Sequence, residues 1–492
     1  MTRLLGSIMM SERRSPNRRA WMARRNILGA AAGSLMAAGL PPLRVRPAGA
    51  APVTPNPIPT PIALGPIRLS LQDFCTPPPT RASRPRAMLN YLYHAGDGSG
   101  RVFVADSRGK LWAVDRAGTA TLFLDLAQAR GGKIVFETST MYLGLRTFAF
   151  HPDFAIAGRP GFRRLYTVNT EVPEVPPGVP VLRDPAIPVY YHDVIAEWQV
   201  DPADPSWVDP GSRREVLRIS QWNRGHNTDQ LMFKPSLRPG MAGYGQMYIT
   251  VGDGKNNPSF TDPYDQAQNP KSPLGKILRI LPLQQGSRSY AVPKANPFVG
   301  NSAWLPEIWA LGLRHPEFLC FDPARGKMIV ANIGQDQVEA LYLGAAGANY
   351  GWPAREGTFV TNRLDENELF TLPPDDASFG YTYPVAQYDH DEGVAICGGF
   401  VYRGSAIPAL YGHYLFGDIV SGRVFSVPVS TLRRGSLATI REVSLLQDGV
   451  AVTLRGLLGT TGRVDLRFGQ DQAGEMYLMT KQDGMIRKLA AA

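Results

Sequence analysis

Four short segments concentrate side chains able to bind or move charge: Gly144-Leu145-Arg146, Gly225-His226-Asn227, Leu313-Arg314-His315-Pro316 and Tyr402-Arg403-Gly404. An imidazole such as that of His226 titrates near neutral pH and can accept a proton from a substrate in water. A guanidinium is a fixed cation with planar, paired donors, the geometry that a carboxylate-bearing ligand requires. The segment Gln335-Asp336-Gln337-Val338-Glu339 adds oxygen donors of the type a hard cation takes, without the spacing of an EF-hand loop. Taken singly, a histidine is more often structural and an arginine more often solvated. What gives these residues weight is where the repeat places them.

The elements around them are short β-branched or aromatic runs separated by Gly, Pro and Asp turns, from about Ile67 onward, with no long amphipathic helix. Six units of strand, turn, apolar strand, turn and strand can be laid along the chain, at Gly100–Val114, Phe148–Trp198, Gln230–Ile280, Phe318–Leu341, Gly399–Val427 and Asp465–Leu489. A lone small sheet cannot bury both faces, whereas radial stacking buries them and leaves only short edges. The fold class expected is therefore all-β, a six-bladed β-propeller over residues 67–492, with a pair of β-sandwiches as the competing arrangement. The innermost strand of each blade lines the axis, which is why polar residues near those strands are the candidates. The Pro-rich stretches Val172–Asp193 and Gly254–Pro273 fall between strands as loops.

Charge separates the chain into two parts. The formal net charge is +10, but residues 1–50 hold nine arginines and one acid, and the rest carries 43 basic and 41 acidic residues. A nearly neutral mature chain gives no support to nucleic-acid binding. Arg24-Arg25 precedes an Ala/Gly-rich apolar run from Ile27 to Leu40, too short to span a bilayer, and Ala48-Gly49-Ala50 offers small residues for cleavage. Residues 1–50 read as a twin-arginine-type signal peptide and 51–66 as a Pro-rich linker, so the expected location is periplasmic or secreted, without membrane insertion of the mature protein. Cys75, Cys320 and Cys397 allow at most one disulfide and make no zinc spacing; Cys320 reads as a small buried hydrophobe.

Several segments resemble the glucose/sorbosone dehydrogenases, soluble quinoprotein sugar dehydrogenases that bind pyrroloquinoline quinone (PQQ) on a six-bladed propeller. They are Phe148–Phe154, Tyr248–Gly254, Leu274–Ile280, Pro306–Arg314, Asn349–Pro353 and Gly398–Gly404, in the family's order across residues 85–490. The resemblance implies an oxidoreductase that removes a hydride from the anomeric carbon of an aldose, with His226 as general base and Asp253 as its orienting acid. It implies PQQ held by Arg314, His315, Arg403, Tyr142 and Arg463, with Arg146 nearby, and Ca2+ held by Glu339 and the main chain of Tyr350. A sugar and an external electron acceptor are the implied partners. The family also contains propellers related to the Hedgehog-interacting protein.

The chain departs from the sugar-oxidising pattern at site positions. Tyr142 stands where the family has Gln or Glu, His315 where it has Asn, and Thr228-Asp229 where it has a Gly pair. These departures make a non-redox exported propeller that binds a ligand or partner the alternative expectation, and a calcium-dependent sugar lactonase a further one.

Overall fold

The computed structural model describes residue 53 and residues 56–136, 143–201, 203–255, 265–363, 365 and 368–492. The expected signal peptide and Tyr142 lie outside these residues. Blade 1 is built from Leu89–His94, Val102–Asp106, Lys110–Val114 and Ala120–Asp125, each antiparallel to the next. Blade 2 follows with Leu145–Phe150, Arg164–Glu171, Tyr191–Val200 and Val208–Gln221, and blade 3 with Thr228–Phe233, Met247–Val251, Lys276–Ile280 and Ile308–Leu311. Blade 4 is His315–Phe321, Met328–Ile333, Val338–Leu343 and Ala386–Asp389; blade 5 is Ile396–Val401, His413–Asp418, Val424–Pro428 and Arg441–Gln447. Blade 6 takes three strands from the C-terminus, Leu466–Gln470, Met476–Thr480 and Ile486–Ala491.

The first strand of each blade touches the first strand of the next, and that of blade 6 returns to blade 1, where Leu92 pairs with Gly469. These contacts make the six-bladed propeller. The repeat read from the sequence starts one strand late in blade 1, at Val102–Asp106 instead of Leu89–His94. The inner strands are buried along almost their whole length, because neighbouring blades cover both faces; in Leu145–Phe150 and His315–Phe321 the polar residues stand toward the start and the apolar ones toward the end. At the seam Gly469 is required: a Cβ there would lie 2.4 Å from the side chain of Leu92.

The fourth strand of blade 6 comes from the other end of the chain. Leu64–Cys75 runs antiparallel to Ile486–Ala491 and also pairs, in parallel, with Arg441–Gln447 of blade 5. Three residues expected in the linker, Leu64 to Pro66, thus belong to the ring. In this strand Ile67, Leu69 and Leu71 are buried between Arg68 and Ser70, an alternation suited to one covered face. Cys75, Cys320 and Cys397 are all buried and free, so no disulfide assists closure. Among the described residues no helix is long and apolar enough to cross a membrane.

Aromatic rings fill the middle of the axis. Tyr91 of blade 1 lies 6.0 Å from Phe318 of blade 4 and 5.2 Å from Phe148 of blade 2, while Phe400 of blade 5 stacks on Tyr93 and meets Phe318 edge-on at 5.1 Å. The axis is therefore a packed core between two ends.

Since the terminal strand completes the last sheet, truncating its most buried side chain should be felt globally. Leu69→Ala is expected to lower the unfolding free energy by about 2–5 kcal/mol in one cooperative urea transition. A loss below about 0.5 kcal/mol would show that closure does not depend on this packing.

Candidate functional site

The polar end of the axis lies where the inner strands begin. His226, immediately before the inner strand of blade 3, sits in the left-handed region with φ 51°, an uncommon backbone state for a residue with a side chain. The conformation is accommodated by Gly252 on the next strand, where a Cβ would come within 2.5 Å of the His226 carbonyl. Asp193 of blade 2 fixes the following residues, accepting hydrogen bonds from the Thr228 N–H at 2.7 Å and from the Asn227 amide at 3.3 Å. Burial raises the Asp193 pKa to about 6.

His226 Nδ1 is 2.6 Å from Asp253 Oδ1. The other carboxylate oxygen accepts from Trp352 Nε1 at 2.9 Å, and the Lys255 N–H donates to Oδ1 at 2.9 Å. Burial acts to raise the Asp253 pKa, but His226 and Arg314 outweigh it and hold the group below the ordinary carboxylate range. With an ionised acid on Nδ1, the proton of the neutral ring sits on Nδ1 and Nε2 carries the lone pair. Burial, reinforced by the charge of Arg314, pushes the imidazole pKa down to about 3 against the pull of Asp253.

A second histidine lies parallel to the first. The rings of His226 and His315 stack with centroids 4.5 Å apart. His315 Nε2 bonds to Asp229 Oδ2, and Arg146 donates to Asp229 Oδ1 through Nε at 2.9 Å and through Nη2. Burial tends to raise the Asp229 pKa, yet Arg146 and His315 overcome it and keep the carboxylate well below its usual range. The acid that departs from the family pattern is thus neutralised inside the protein by a cation on one side and an imidazole on the other.

Arg314 faces the same end over the Trp352 ring, 5.7 Å from its centroid, and donates to the Gly334 carbonyl and to Gln335 Oε1 at 2.7 Å. The loop that receives it is held by Glu356, whose Oε1 accepts the N–H groups of Gln335, Gln337 and Val338 at 2.9–3.1 Å. On blade 6, Arg463 pairs with Asp465 at this end.

Arg403 is elsewhere. It follows the inner strand of blade 5, whereas His226 and Arg314 precede theirs, and so it emerges at the opposite mouth, paired with Asp322 at 2.6 and 2.9 Å over the ring of Tyr411. Glu339 and Tyr350 each have partners of their own. The Glu339 carboxylate accepts from the Gly334 and Ile396 N–H groups at 3.2 and 2.8 Å and meets His390 Nε2 at 3.0 Å. The main chain of Tyr350 pairs with Leu311, and its hydroxyl reaches the Leu343 carbonyl at 3.1 Å. Among the described residues no group of three or more His, Cys, Asp or Glu side chains could hold a metal ion.

One residue escaped sequence reasoning. The second strands of blades 1, 3 and 5 close on Asp106, Asp253 and Asp418, and Asp106 and Asp418 cap the turn that follows by accepting N–H groups. Blade 6 closes on Lys481, which cannot cap; Asp483 does so instead, through the Met485 N–H at 3.1 Å. Lys481 is fully buried and its Nζ has no hydrogen-bond partner among the described residues, although Arg467, Asp465, Arg146 and Arg463 lie within electrostatic reach. Burial, then the charge of Arg467, drives its pKa well below that of a free lysine. A buried amine without an acceptor, among other cations, is suited to an anion from outside the chain. The signal was a Lys in the turn position where other blades carry Asp.

Residues 218–487 match the family model described as glucose/sorbosone dehydrogenase. The chain is 29% identical over 447 residues to the HIPL2 protein of Arabidopsis thaliana and 25% identical over 403 residues to the Hedgehog-interacting protein of Mus musculus, in each case over 80% of this chain. It spans 60% and 48% of those two relatives. The PQQ-bound aldose sugar dehydrogenase of Streptomyces coelicolor has the same fold, with a TM-score of 0.55 at 19% identity, covering 87% of this chain and 99% of that one. The match of the family model over more than half of the sequence, on a propeller of this architecture, shows that the chain belongs to the glucose/sorbosone dehydrogenase family.

Proposed function

We propose that this protein is a sugar dehydrogenase that acts after export, oxidising the anomeric carbon of an aldose with PQQ as cofactor and passing electrons to an external acceptor. The observation that carries the reading is the His226–Asp253 pair, which presents an imidazole with its lone pair on Nε2 at one end of the axis. The residues present fit a polycarboxylate: among the described residues the buried Lys481 Nζ has no hydrogen-bond partner, and Arg467, Arg146 and Arg463, with Asp465, lie within electrostatic reach of it. The four cations would hold the carboxylates of PQQ, and Arg403 would not, since it stands at the other mouth. When bound, PQQ supplies a two-electron acceptor for the hydride that leaves the sugar carbon.

The chain's part is acid–base and positional. Nε2 of His226 takes the hydroxyl proton as the C–H bond breaks, so that the carbon becomes a carbonyl carbon. Asp253, held by Trp352 and the Lys255 N–H, keeps Nδ1 protonated and offsets the positive charge that develops on the ring. The low imidazole pKa then favours release of the proton and resets the base. The stacked His315, tied to Asp229, limits rotation of the His226 ring. Calcium belongs to the proposal only as a cation that would have to displace His390 from Glu339.

A specific feature favours a second reading, a binding propeller without redox chemistry. Asp229 already occupies Arg146 and His315, two groups that would otherwise meet a ligand.

Titration of the purified protein with PQQ, with calcium and with a chelator, separates these readings. The expected result is bound quinone absorbance and dye reduction with aldoses, with His226→Ala lowering turnover roughly 10²–10⁴-fold while PQQ still binds. Lys481→Met should weaken PQQ binding by about tenfold or more without loss of thermal stability, because it removes a buried amine that lacks a partner. Absence of PQQ binding in both calcium and chelator would overturn the redox reading in favour of the second.

The buried imidazole also makes a stability prediction. A histidine of the unfolded chain titrates near 6.5, so between that pH and about 3 the unfolded state binds a proton that folded His226 does not. Stability therefore falls as pH falls through this window; by pH 5 His226 costs about 2 kcal/mol. His94 and His151, lowered to about 4 by burial, act in the same direction. In urea unfolding at pH 7.5, 6 and 5, His226→Gln should lose about 2 kcal/mol less than the wild type between the extremes. Parallel losses in the two proteins would show that His226 is not held neutral.

A further inference from the structure

At the opposite end of the propeller from His226, a cleft of about 600 Å3 opens beside blades 3 and 4. One wall is aromatic: Trp309 meets Tyr248 edge-on at 5.3 Å, and Tyr248 meets Phe321 edge-on at 5.2 Å. The remaining polar lining is of one sign. Lys234, Lys327, Arg433 and Arg434 line the cleft and no carboxylate does. In a chain whose basic and acidic residues nearly balance beyond residue 50, four cations without an acid around one concavity are a segregation of charge.

Among the described residues no ion pair engages Lys234, Lys327, Arg433 or Arg434. The Lys234 ammonium lies 5.9 Å over the Phe321 ring, and no carboxylate comes within ion-pair distance of it among the described residues. Its position is built into the backbone: a side chain at Gly326 would come within 2.9 Å of the ammonium. Lys327 reaches the carbonyls of Val429 and Leu432, at 3.4 and 3.1 Å. Arg403, near the same face, is by contrast neutralised by Asp322.

We propose that this cleft is a second ligand site, for an anion carried on a flat aromatic ring, an aryl phosphate or aryl carboxylate. The ring would lie against Trp309 and Tyr248, and the anionic group would meet Lys234 and Arg433. A neutral ring would forgo the charge, and a small inorganic anion would forgo the apolar contact.

The test uses the full chain, with phenyl phosphate, benzoate, inorganic phosphate and benzyl alcohol as calorimetric titrants. Phenyl phosphate and benzoate should bind at least about tenfold more tightly than inorganic phosphate or benzyl alcohol, and more weakly as salt rises. The surface variant Lys234→Met/Arg433→Ser should weaken phenyl phosphate by roughly tenfold, and His226→Gln and Lys481→Met should leave it unchanged. This last pair keeps the result independent of PQQ binding at the other end. Absence of phenyl phosphate binding, binding no tighter than that of benzyl alcohol or inorganic phosphate, or binding indifferent to the double substitution would each overturn the proposal.

Discussion

Closure of the ring by Leu64–Cys75 is the constraint on which the rest depends. A propeller blade is a small sheet whose faces are apolar, and it is stable only while a neighbour covers each face. Five blades obtain their fourth strand locally, but the sixth must borrow from the opposite terminus. Until that strand seats between Ile486–Ala491 and Arg441–Gln447, the seam between blades 6 and 5 is incomplete. Every distance at the axis is set by six inner strands leaning on one another, so the borrowed strand indirectly positions His226 and Lys481, residues it does not touch.

The polar end shows how the protein places charge in a buried setting. Asp253 and Asp229 each lie between groups that stabilise the anion, and the two histidines they hold are stacked face to face. Such cross-bracing, with Trp352 and the Lys255 N–H holding Asp253, fixes ring orientation. The strained backbone at His226 is supported in the same way, by Gly252 beneath it and Asp193 beside it.

Much of this was legible in the sequence, and the rest failed for definable reasons. The repeated strands carry their own turn residues, so the architecture could be read. Leu89–His94 and Leu64–Cys75 went uncounted because the first lies ahead of the Gly-rich turn Gly96–Gly100 from which the repeat reads clearly, and the second finds its partner only near the far end of the chain. His226 and Asp253 could be paired through the family resemblance, and in the fold the first precedes and the second follows adjacent strands of one blade. Arg403 was assigned to the wrong mouth because similarity of segments carries no sign for strand direction: a residue after an inner strand emerges opposite to one before it. Lys481 was overlooked because a single Lys after a strand is unremarkable until the Asp residues in the equivalent turns are seen capping.

The aromatic plug formed by Tyr91, Phe148, Phe318 and Phe400 has a consequence for traffic. A propeller axis open at both ends could be entered from either side, but here the packed rings separate the end that carries His226 from the end that carries Arg403. A ligand bound beside His226 and one bound beside Arg403 would therefore meet different residues and would not reach each other through the axis.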